Sequence, residues 1–85
     1  MPEISRFLGV LIRMYYNEHG PPHFHAVYSE HEVIVEVETS KVHGPFPTRA
    51  LRHVLEWAET HRSELMDNWA LARRGEPLNP VPPLE

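Results

Sequence analysis

Apolar and polar residues alternate with a period of two through the first half of the chain, and with a period near 3.6 through the second. Val10-Leu11-Ile12-Arg13-Met14-Tyr15-Tyr16 is rich in strand formers and stops at Asn17, just ahead of the turn residues Gly20-Pro21-Pro22. Residues 23–28 and 33–38 read as the next strands, joined by the polar Ser29-Glu30-His31-Glu32. Residues 4–8 form a first strand before Gly9, and Lys41-Val42-His43 a short last one before Gly44-Pro45-Phe46-Pro47 breaks the pattern. Thr48 is then a fair N-cap, and Ala50, Leu51, Val54, Leu55 and Ala58 recur at helical spacing, as do Leu65, Met66, Trp69 and Ala72. Thr60-His61-Arg62-Ser63 carries no apolar residue, which predicts a bend between two helices, and Gly75 with Glu76-Pro77 predicts the stop. The expected architecture is one α+β domain over residues 1–75, a mainly antiparallel four- (or five-) stranded sheet followed by two helices packed on one face. A Pro-rich extended tail over residues 76–85 completes it.

Strand register decides which side chains meet. Setting Tyr28 opposite Val33 places Phe24 against Val37 and Ala26 against Val35 on one apolar face, with Val10, Ile12 and Met14 beside them. The same register pairs His25 with Glu36, His23 with Glu38 and Val27 with Ile34 on the other face, next to Arg13 and Tyr15. Because a slip of one residue would turn the charges inward, the assignment of faces is close to all-or-none. The helices should cover the apolar face, leaving Arg13, Tyr15, His23, His25, Glu36 and Glu38 exposed together.

Composition narrows the chemistry. Eighty-five residues suffice for one small domain. The absence of cysteine removes thiol catalysis, thiolate metal sites and disulfides, in keeping with a reducing compartment. No apolar run approaches the roughly 18 residues a membrane span needs, and Met1-Pro2-Glu3-Ile4-Ser5-Arg6 lacks the pattern of a signal peptide, so a cytoplasmic protein is expected. A formal charge of −4 argues against tight nonspecific nucleic-acid binding. Seven histidines are several times ordinary usage, and three of them fall in His19-Gly20-Pro21-Pro22-His23-Phe24-His25.

Two chemistries suit that segment. His23 and His25, two apart on a strand, point the same way about 7 Å apart at the backbone. With His19 they offer three imidazoles to a divalent ion such as zinc, with Glu36 or Glu38 as ligand or supporting partner. Without a metal, Arg13, Tyr15, His23, His25 and Glu36 on one face would suit acid–base cleavage of RNA, the arginine stabilising phosphate charge. The plainer alternative is a hairpin whose histidines pair with opposing glutamates. Arg49, Arg52 and His53 share one helix face and could meet phosphate, but Glu56, Glu59 and Glu64 lie beside them and the helix joint lacks a glycine-bearing turn. Trp57 and Trp69 read as packing anchors, and of the adjacent Tyr15 and Tyr16 one must be exposed. Val27 and Ile34 leave an apolar remainder on the outer face, which suits a homodimer or heterodimer.

Pro2-Glu3-Ile4-Ser5-Arg6-Phe7, Met14-Tyr15-Tyr16-Asn17-Glu18-His19, Pro21-Pro22-His23-Phe24-His25, Arg49-Ala50-Leu51, Glu56-Trp57, Glu64-Leu65 and Asn68-Trp69 resemble, in order and over essentially the whole chain, the bacterial family of domains of unknown function numbered 4160. The resemblance implies one half of a two-gene module, encoded beside a small protein of the family numbered 2442. It also implies a component of a toxin–antitoxin system: a toxin, for which the histidine face offers RNA cleavage, or alternatively a noncatalytic, regulatory partner. The family supplies no catalytic residues to carry over. Where many members have an acidic residue after the second histidine of the motif, this chain has Ala26-Val27.

Overall fold

Alternation along the first half of the chain produces five short strands: β1 (Glu3–Phe7), β2 (Val10–Arg13), β3 (His23–Tyr28), β4 (His31–Glu36) and β5 (Val42–His43). A computed structural model, describing residues 2–84, places them in one antiparallel sheet in the order β1-β2-β3-β4-β5, each strand beside its neighbour in sequence. Each hairpin is set by its turn. Leu8 and Gly9 both adopt positive φ (50° and 81°), the requirement of the tight two-residue loop whose twist matches its strands. Ser29, with φ 54°, does the same work between β3 and β4.

That second turn corrects the expected register. Residues 29–32 were expected to form the connection, but only Ser29 and Glu30 do, and Tyr28 pairs with His31. Every partner moves by two: His23 faces Glu36, Phe24 faces Val35, His25 faces Ile34 and Val27 faces Glu32. A shift of two preserves the faces. Val10, Ile12, Met14, Phe24, Ala26, Val33, Val35 and Val37 are all buried on the inner face, with Tyr28 packed at its margin.

The helices cover this face. α1 (Thr48–Thr60) and α2 (Arg62–Arg73) meet at His61, where the apolar pattern lapses. Thr48 is the first helical residue rather than the cap; Pro47 holds the N-cap position and makes no side-chain cap bond. α1 buries Ala50, Val54, Trp57 and Ala58. Trp57 is the centre of the core, its ring 5.3 Å from Phe7 and 5.7 Å from Phe24, so that it joins β1, β3 and the helix layer. α2 buries Leu65, Asn68, Trp69 and Ala72, and Arg62 at its start donates to the Val37 carbonyl just beyond β4. It ends in paired bonds, Gly75 N–H to Ala72 and Glu76 N–H to Leu71, with Gly75 at φ 70° where a side chain would be strained.

The proline-rich segment lies against the domain. Asn68, 1% exposed, donates its amide to the Asn79 carbonyl and accepts from the Asn79 N–H, at 2.8 and 2.9 Å. Val81 N–H then bonds the Ile4 carbonyl on the outer edge of β1, and the Trp57 indole donates to the Pro82 carbonyl. No described helix is long and apolar enough to cross a membrane.

Asn68→Ala should remove both hydrogen bonds that hold the Asn79 backbone against α2. The expected loss is about 2 kcal/mol by urea denaturation, with faster hydrogen exchange at Val81 than in the parent. Glu36 offers a pH test. A hydrogen bond from His43 is the main cause holding its carboxyl below the ordinary glutamate range, with Thr39 adding to it. Because the folded value is the lower one, this contribution is present above the unfolded carboxylate range and is lost as pH falls through the folded value. Carbon-detected NMR titration should find Glu36 titrating below a free glutamate, and His43→Ala should move it upward.

Candidate metal centre

Two residues of β3 point away from the core because their neighbours point into it. Phe24 and Ala26 are fully buried under the helices, so His23 and His25 must project from the outer face. Exposure of these histidines was expected there, and the structure corrects this: they are 9% and 7% exposed. The cover comes from outside the sheet. The Tyr15 ring stands edge-on to His25 at 4.3 Å, and Trp69 of α2 reaches round the end of the sheet to within 4.9 Å of the His23 ring. Glu18, half-buried, completes the lid from the loop between β2 and β3.

Each imidazole is anchored through Nδ1. His23 Nδ1 donates to the Pro21 carbonyl at 3.0 Å, and His25 Nδ1 donates to Glu32 Oε2 at 3.1 Å. Both Nε2 atoms then face one oxygen, Glu18 Oε1, at 2.9 and 3.0 Å. With its Nδ1 proton committed, a neutral imidazole presents only a lone pair at Nε2. Two such lone pairs and a carboxylate oxygen aimed at one another repel, so the cluster requires positive charge at its centre: added protons or a metal ion.

The spacing of Glu18 from each histidine suits an ion. The three donor atoms lie within 4.8 Å of one another. Metal–ligand bonds of about 2.1 Å meeting at right angles separate neighbouring donors by about 3 Å, the spacing at which Glu18 already sits from each histidine. Two imidazoles and one carboxylate on one face of an ion form the set that leaves further coordination positions open. Glu32 and the Pro21 carbonyl supply the supporting bonds that fix the tautomer and aim of ligating histidines.

Of the expected ligand set, His23 and His25 come together and His19 does not. His19 is exposed, and its neighbour Glu18 takes the third place after Asn17 turns the chain at φ 61°. Glu18 was missed because nothing in a loop of uncertain path marks one residue over the next. Among the carboxylates expected in support, Glu36 is held by His43 and Thr39 and Glu38 is exposed, while Glu32 does the supporting. Arg13 sits opposite His25 on β2, half-buried, and Tyr15 covers the same ring. The expected outer-face neighbours of the histidines are therefore present, although not as an open acid–base surface. Tyr16 is the exposed member of the tyrosine pair.

Comparison with known proteins yields one family. No curated protein and no solved structure matches the chain. The family model for the domain of unknown function DUF4160 matches residues 9–70, which span the sheet from β2 onward, the Glu18–His23–His25 cluster and most of both helices. The chain belongs to the DUF4160 family.

Proposed function

We propose that this protein is a metal-binding domain in which Glu18, His23 and His25 hold one first-row divalent ion on the outer face of the sheet. The observation that carries the reading is the division of labour within each imidazole: Nδ1 is fixed by a hydrogen bond, and Nε2 is aimed at the shared carboxylate oxygen. Histidines acting as free acid and base on RNA need a ring nitrogen available to substrate, and here all four are engaged. That favours the metal over the ribonuclease-type reading of the same residues. Imidazole and carboxylate donors suit zinc, iron, nickel or manganese, with thiolate-selected ions disfavoured by the donor set. In a two-protein module, such a domain would make its role depend on metal supply rather than on cleavage by the histidines themselves.

Chelator-free protein should carry close to one equivalent of metal by elemental analysis, and stripped protein should take it back in calorimetry with release of protons. Glu18→Gln and His25→Ala should each lower affinity by more than about tenfold, and Glu32→Gln by roughly 10–100-fold through loss of the supporting bond. His19→Ala should leave affinity unchanged. Stripped wild-type protein that takes up no stoichiometric ion would falsify the proposal.

A further inference from the structure

Three donors on one side of an ion leave its other side free for a ligand. Resting on the metal reading above, we infer that this ligand is a phosphate group with three terminal oxygens, as in inorganic phosphate or a phosphate monoester, gripped by Arg13 from the neighbouring strand. Arg13 occupies the β2 position paired with His25 and is half-buried on the same face. Every carboxylate around it is already committed. Glu3, its partner on β1, receives both prongs of Arg6 and makes no hydrogen bond to Arg13, whose charge reaches it only through space. Glu32 holds His25, Glu36 holds His43, and Glu18 faces the two histidines. Arg6, Arg62 and Arg74 have hydrogen-bond partners among the described residues; of the four arginines left without one, Arg49, Arg52 and Arg73 are exposed on the helices and Arg13 alone is half-buried beside His25.

Charge then selects the ligand's sign. The two positive charges of the ion are matched by Glu18 and Glu32, and Arg13 stands in surplus, so the open side of the centre favours an anion. Denticity selects its type. A guanidinium grips two oxygens in parallel, and the metal needs a third from the same group. A carboxylate or a phosphodiester has two free oxygens, so one of them must serve the metal and the guanidinium together, whereas a terminal phosphate gives each contact its own oxygen. The Tyr15 ring, edge-on to His25 at 4.3 Å, covers that histidine on the same face.

The test uses the full chain loaded with manganese(II), its uptake counted by electron paramagnetic resonance. Phosphorus relaxation then reports whether inorganic phosphate or dimethyl phosphate reaches the ion. Inorganic phosphate should be relaxed at saturable, stoichiometric concentrations and bind at least about tenfold more tightly than dimethyl phosphate. Arg13→Gln should weaken phosphate by about tenfold or more, the loss of a charge-assisted hydrogen-bond pair, without changing manganese uptake, and Arg13→Lys should restore part of it. Manganese bound normally, with phosphate relaxed equally in wild type and Arg13→Gln or dimethyl phosphate bound as well as phosphate, overturns the phosphate site alone. No manganese uptake in wild type overturns it together with the metal centre.

Discussion

Phe24 and Ala26 press into the core beneath Trp57, and with the strict alternation of a strand this leaves His23 and His25 no direction but outward. The site on one face is thus a by-product of packing on the other. Trp57 ties the two together: it contacts Phe7 on β1 and Phe24 on β3, so the strand that carries both histidines is held by the largest buried side chain in the molecule. A rigid strand fixes where the rings begin. Their final aim is left to the Pro21 carbonyl and Glu32, which sit on opposite sides of the pair and take one ring nitrogen each.

The third donor has a different kind of support. Glu18 comes from the connection between β2 and β3, where Asn17 reverses the chain and Pro21-Pro22 restricts its return into the sheet. His23 and His25 are placed by the core, and Glu18 meets them from the loop through its contacts with both Nε2 atoms. The cluster thus joins two side chains fixed by core packing to a third carried on a loop.

The fold was largely legible in the sequence, because the two periods it rests on are strong and the faces of a strand change only with an odd slip. The inner-face residues from Val10 to Val37, the break at His61 and the stop at Gly75 all follow from that patterning. Register was less legible. Ser29-Glu30-His31-Glu32 is polar throughout, and nothing in its composition says that two residues rather than four make the turn. The error of two kept His23 and His25 on the correct face but set Glu36 opposite His25 and Glu38 opposite His23, where the structure has Glu36 opposite His23 and Glu32 bonded to His25. Glu18 lay further out of reach, since a loop has no period and its side chains can be ranked only once its path is known. The burial of the histidines was hidden for a related reason: the covering groups, Tyr15 and Trp69, arrive from a loop and from the far end of a helix.

The C-terminal segment gives the domain a removable margin. An exposed outermost strand invites pairing with other chains, and here the Val81 N–H occupies the Ile4 carbonyl on that border while Asn68 and the Trp57 indole clasp the segment on either side. The same indole that anchors the core therefore also holds the seam. A chain cut before Asn79 would lose the seam and leave a buried amide, an indole N–H and a strand border seeking partners at once.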